Sequence, residues 1–149
     1  PYIPVSLTVV TGSNSAYTAA TGADVIMGSV VIPANLLGQF GQIDAHASMS
    51  YLDSANDKIT KLNLGAPAVV SLTATTTDGL TIRKRIANRY TGQQVIQADL
   101  AEGAASGTTA SLLAIDTTAD VVVSVTGQKE TATEYMVLET FSVEVLPTP

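Results

Sequence analysis

The chain has 149 residues, no cysteine, 13% charged residues and a formal net charge of -6. That length suits one domain, residues 1–149, able to bury about 70% of the surface its unfolded chain exposes, and the lack of cysteine excludes thiol catalysis, cysteine-bound zinc and a disulfide framework. A sparse, acidic charge set is a poor match for nucleic acid or an anionic membrane surface, and no apolar run is long enough for a membrane span.

Pro1-Tyr2-Ile3-Pro4 shows no basic region followed by an apolar run, so no signal peptide is expected there. Ile3–Val10 reads as the first strand, with Val5, Leu7 and Val9 on one face. Gly12–Asp24 is rich in Gly, Ala, Ser and Thr and reads as a long loop. Val25–Ile32 is the next strand. Pro33-Ala34-Asn35-Leu36-Leu37, stopped by Gly38, is the best helical stretch and long enough for a single turn. From Ile43 to Tyr51, apolar Ile43, Ala45, Ala47, Met49 and Tyr51 alternate with Asp44, His46, Ser48 and Ser50, the period of a half-buried strand.

Asn56-Asp57 marks a turn before a strand at Ile59–Leu64, and Gly65-Ala66-Pro67 marks another before Val69–Ala74. Asp78-Gly79 suits a tight hairpin. In the following strand Leu80, Ile82 and Ile86 face one way and Arg83 and Arg85 the other. Thr91-Gly92 leads to Val95–Ala98. Ala101–Ser111 is a second small-residue loop, followed by strands at Leu112–Ile115 and Val121–Thr126. The final strand, Tyr135–Leu146, changes phase between Leu138 and Phe141, which a β-bulge near Glu139-Thr140 or burial on both faces would explain. Many short strands divided by regular turns predict an all-β, antiparallel sandwich or barrel with at most one short helix.

Little in this pattern suggests catalysis. His46 is the only histidine and stands at a polar position of a strand; a triad would need it beside a serine and a carboxylate, and one histidine cannot build a histidine-based metal site. Asp53, Asn56 and Asp57 offer oxygen ligands for calcium, but their spacing is not that of the twelve-residue loop, and turn chemistry alone accounts for them. Arg83, Lys84, Arg85 and Arg89 form the one basic cluster, with Arg83, Arg85 and Arg89 on one face. In an acidic chain this reads as a charged outer face or as ion pairs to a neighbouring strand or subunit. No phosphate loop, nucleophile elbow or dinucleotide fingerprint is present. No cofactor and no metal are expected. The 20 threonines make much of the polar surface uncharged and easier to desolvate in subunit packing.

One ordered set of segments resembles tailed-bacteriophage virion proteins. It begins with Val31-Ile32-Pro33-Ala34-Asn35-Leu36-Leu37-Gly38-Gln39-Phe40-Gly41. It continues through Asn56-Asp57-Lys58-Ile59 and Gly65, then Arg85-Ile86-Ala87-Asn88-Arg89 with Gln93 or Gln94. Ile115-Asp116-Thr117-Thr118, Thr126-Gly127-Gln128 and Leu138-Glu139 complete it. Proteins with this pattern are similar to the jelly-roll sandwiches of capsid decoration proteins and fibres. The resemblance implies a jelly-roll-like β-sandwich, a homotrimer and no catalytic residues. It implies a non-enzymatic cement protein on the outer surface of the virion, assembled in the host cytoplasm, whose partner is the major capsid protein. The alternative is a fibre tip that binds a host receptor, glycan or protein, with Tyr17, Tyr51 or Tyr90 as candidate contacts. The expected subunit contacts are Val5, Leu7, Val9, Arg83, Arg85 and Arg89, with the termini or the two small-residue loops reaching the capsid.

Overall fold

The computed structural model describes residues 15–16, 22–96 and 111–148. Within them the chain runs through β1 (Ser15–Ala16), β2 (Val25–Ile32), β3 (Gln42–Tyr51), β4 (Lys58–Leu64), β5 (Ala68–Ala74), β6 (Gly79–Tyr90), β7 (Gln93–Ile96), β8 (Ser111–Leu113), β9 (Val121–Lys129) and β10 (Met136–Leu146). The expected strand at Ile3–Val10, and with it Val5, Leu7 and Val9, lies outside the described residues, as do Tyr17 and most of the two small-residue loops.

The pairing is nested. β1 pairs with β10, β2 with β9, β3 with β6 and β4 with β5, all antiparallel. A long antiparallel ribbon rolled in this way gives two sheets, one ordered β1-β10-β3-β6-β7-β8 and the other β2-β9-β4-β5. This is the strand order of a jelly roll, with β7 and β8 added as an extra hairpin to the larger sheet. The expected all-β sandwich is the fold observed.

The core is the space between the sheets. β3 alternates without a fault: Ile43, Ala45, Ala47, Met49 and Tyr51 are buried, and the residues between them are half-buried. β10 keeps Met136, Leu138, Phe141, Val143 and Val145 all buried. It can do so because its register against β3 slips between Leu138 and Thr140. The extra residue returns both halves of the strand to the same face, so the phase change in the sequence is a bulge, not burial on two faces. β9 and β4 close the other side with Val121, Val123, Val125, Leu62 and Leu64.

Two sequence expectations fail. Pro33–Leu37 is not a helical turn: Asn35 takes a left-handed conformation at φ 62°, and the segment is a chain of turns. Asn35 is held there by a bond from its N–H to the Thr117 carbonyl (3.0 Å), while Asp120 accepts from the Ala34 N–H (2.8 Å). Tertiary partners thus override a helix too short to support itself. Nor is Asp78-Gly79 a hairpin turn. The strands on either side of it belong to different sheets, so residues 75–78 cross the sandwich. The two-residue hairpin is instead Thr91-Gly92, where Tyr90 pairs with Gln93.

Candidate functional site: the outer face of the larger sheet

On β10, β3 and β6 the residues that point away from the core form three cross-strand rows. Strand register sets Glu144 beside Asp44 and Asp44 beside Arg85. The next row is Ser142, His46 and Arg83, and the third is Thr140, Ser48 and Thr81. Glu144, Asp44, Ser142, His46 and Arg83 line a shallow open depression of about 330 Å³. The period of two in the sequence is sufficient to put these polar side chains on one surface.

The charges are not equally engaged. Arg85 grips Asp44 with two bonds, Nε to Oδ1 at 2.8 Å and Nη2 to Oδ2 at 2.7 Å. The hydrogen bonds from Arg85 hold the Asp44 carboxyl below its usual range, and the same pairing raises the Arg85 guanidinium further. Arg83 is exposed and has no ion-pair partner among the described residues. Of the expected contact residues, Arg83 and Arg85 therefore share this face. Arg89 does not join them over β3, because the β3–β6 pairing ends at Gln42 and Ala87, and Arg89 sits in the bulge that precedes Tyr90. Lys84, between the two arginines, points to the opposite side and is buried.

His46 stands between Ser142 and Arg83 with Asp44 two residues away, yet this is no relay. Among the described residues no hydrogen bond joins His46 to Ser142 or to a carboxylate, and both Asp44 oxygens are held by Arg85. No group of three His, Cys, Asp or Glu side chains able to hold a metal occurs among the described residues.

Of the residues behind the calcium reading, Asn56 belongs to a different arrangement, centred on Lys58. Lys58 is fully buried, and its Nζ donates to the Asn56 carbonyl at 2.8 Å and to Ser54 Oγ at 3.0 Å, with Glu134 Oε2 at 3.3 Å. Glu134 Oε1 accepts from Ser54 Oγ at 2.7 Å and Asn56 Nδ2 at 2.9 Å. The bonds from Asn56 and Ser54 outweigh burial and hold the Glu134 carboxyl below its ordinary value. This charged clasp ties the β3–β4 connection to the β9–β10 connection. Sequence reading missed it because a lysine at the start of a strand looks like a solvent residue. Its only signal was that Lys58 falls on the same side of β4 as Thr60, Leu62 and Leu64.

The opposite end is held mainly by a network of uncharged side chains, beside the Asp120 bond to the Ala34 N–H. Asn88 Nδ2 donates to the Gly38 carbonyl (2.8 Å) and to Thr117 Oγ1 (3.0 Å). The Gln94 amide donates to Asn88 Oδ1 at 3.1 Å and to the Ile115 carbonyl at 2.8 Å, and its oxygen accepts from the Ile115 N–H at 2.9 Å. Gln94 thus serves as the strand partner Ile115 lacks after β8 ends. Four of the segments that carry the virion-protein resemblance meet here, through Gly38, Asn88, Gln94 and Ile115 with Thr117, while residues 56–59 and 126–128 lie together at the other end. A Cβ at Gly38 would overlap the Thr148 carbonyl oxygen, and one at Gly41 the Leu37 carbonyl oxygen; the motif glycines are there for close backbone approach.

Among the candidate tyrosines, Tyr51 is no surface contact. It is fully buried and shares a 2.6 Å hydrogen bond with Thr60, and burial raises its phenol pKa. Tyr90 remains half exposed, at 50%.

The described fold is that of the jelly-roll sandwiches. No protein-family model matches the chain, and no curated protein matches it. Among solved structures, a chain from the structure of infectious bursal disease virus Gx strain overlays with a TM-score of 0.47 at 10% identity, over 96% of this chain and 32% of that one. A chain of the infectious bursal disease virus VP2 subviral particle overlays with a TM-score of 0.32 at 8% identity, over 95% of this chain and 40% of that one. This chain thus spans well under half the length of either. At such overlap they add nothing to what the strand order establishes, and the functional reading rests on the chain's own surface.

Proposed function

We propose that this chain is a virion structural protein, a capsid decoration protein of the tailed-bacteriophage kind that docks on the outside of an assembled capsid and stabilises it without chemistry of its own. The observation that carries this reading is the outer face of the larger sheet. It is a broad surface of mixed charge on a rigid β core, with a shallow depression where a small substrate would require an enclosed pocket. Acidic groups on β10 and β3 beside basic ones on β6, at fixed register, suit a protein partner, because complementary charges set orientation and exclude wrong partners. Arg83, not already paired, is the first contact in this reading, and the partner is the major capsid protein. A homotrimer is the assembly that the resemblance implies. The mechanism is linkage: a protein that binds the assembled lattice and not its free subunits shifts the equilibrium toward the lattice.

A receptor-binding fibre tip is the second reading. It is favoured by Phe40 and Tyr90, 56% and 50% exposed, which offer aromatic area at the uncharged end of the sandwich. One experiment separates the two. Purified protein is added to particles depleted of it and, separately, to host cells. Saturable particle binding with a higher disassembly temperature is the result expected. Binding to cells with indifference to particles supports the fibre tip, and binding to neither overturns both.

A further inference from the structure

The edges of the two sheets are protected unequally. Among the described residues the larger sheet ends in β1, two residues, and β8, three residues. Short edge strands are a common way to deny a template to other chains. The smaller sheet ends in β2, eight residues, and β5, seven residues. β2 is broken by a bulge between Ile26 and Gly28. β5 has one irregularity near its start, and from Val70 to Ala74 its register against β4 runs unbroken. No described strand pairs with its other side. Ala68-Val69-Val70-Ser71-Leu72-Thr73-Ala74 contains no charge and no proline, the devices that blunt an exposed edge.

We propose that β5 is a pairing edge for a second copy of this chain, antiparallel about a two-fold axis at Leu72. Pairing through backbone N–H and C=O requires an extended segment as partner, and three features make that segment β5 itself. The first is register. An axis at Leu72 uses only the regular stretch and sets Leu72 against Leu72, Val70 against Ala74 and Ser71 against Thr73. The second is the core. Val70 and Leu72 face inward from opposite Leu62 and Thr60, yet are only half-buried at the rim. The partner's Leu72 and Ala74 would cover them on the core side, while the Ser71–Thr73 hydroxyl pairs would face outward. The third is charge. With a net charge of -6, two copies repel over most of their surface. Across this edge none meets another: Lys61, next to Ser71, is neutralised by Asp24 at 2.6 Å, and the row it belongs to continues through the partner's Thr73 to its Ile59. The contact is isologous and closes at two copies. It is independent of the proposed virion role.

Sedimentation over a range of concentrations tests it, with two sets of variants at exposed positions. S71K/T73K sets lysine against lysine twice across the contact while bringing the chain's net charge nearer to zero, and should weaken self-association about tenfold or more with thermal unfolding unchanged. Because the chain has no cysteine, Ser71→Cys and Thr73→Cys proteins can be mixed under mild oxidation. The geometry brings these two positions within disulfide reach only between copies, so the mixture should cross-link at least about tenfold faster than either alone. Self-association that S71K/T73K leaves intact, a wild-type chain that stays monomeric, or a mixture that cross-links no faster than its components each overturns the proposal. A trimer indifferent to these changes would do so while leaving the proposed homotrimer in place.

Discussion

The two ends of the sandwich solve one problem with different chemistry. At one end, loops are tied by a buried ion pair, Lys58 with Glu134, whose oxygens also serve Ser54 and Asn56. At the other, the neutral side chains Asn88, Gln94 and Thr117 hold the turn after β2, the β6–β7 hairpin and the approach to β9. A buried charge is stable only while its partner remains, whereas an amide network carries no charge to strand. The charged end should therefore respond to pH and to loss of one partner. The neutral end should respond to shape.

The largest effect is expected at the charged end. Lys58→Met leaves Glu134 buried without its cation and should cost about 3–5 kcal/mol in urea unfolding. The double change Lys58→Met with Glu134→Leu should recover much of that, because both charges then leave together. At the neutral end, Gly38→Ala adds a Cβ where φ is +69° and the Thr148 carbonyl is in the way, for about 2–3 kcal/mol by the same measurement. Asn88→Ala leaves Gln94 and Thr117 short of a partner and should cost about 2 kcal/mol.

Acid separates the ends directly. Glu134 has a lowered folded-state pKa, caused first by the Asn56 and Ser54 hydrogen bonds. Its contribution is present above the unfolded carboxylate value of about 4.3 and is lost as pH falls through the lower folded value. Unfolding free energy should fall steeply below about pH 4 in wild type and in Asn88→Ala. In Glu134→Gln it should be lower at neutral pH and flatter below pH 4. Asn88→Ala losing the acid slope would contradict this division. The smallest effect is expected on the outer face, where Arg85→Ala removes a partly exposed pair and should leave urea unfolding nearly unchanged.

Much of this architecture was legible from period alone. β2 runs from Val25 to Ile32 as the sequence reads, and the bulge near Glu139 showed as a phase change. What could not be read was which strands meet. The Asp78-Gly79 signal fails locally as well, since Gly79 already belongs to β6 and does not take positive φ, and only the nested pairing shows that the chain changes sheets there. The Lys58 clasp was hidden for a related reason: its partners lie as far along the chain as Glu134, and composition gives a lysine no reason to be dry. Tyr51 fell in an alternation that marked it as buried, and it was its aromatic type that suggested a surface contact. The outer face fared better, since alternation alone sets Asp44, His46, Arg83 and Arg85 on one surface.

The most direct test of the docking account is binding to depleted particles by wild type, Arg83→Glu on the outer face of the larger sheet and Ser29→Glu at an exposed position of β2 in the smaller sheet. Both variants lower the net charge and leave the core alone. The account predicts that Arg83→Glu loses particle binding while Ser29→Glu keeps it. Equal loss in both, or binding unaffected by Arg83→Glu, would contradict it.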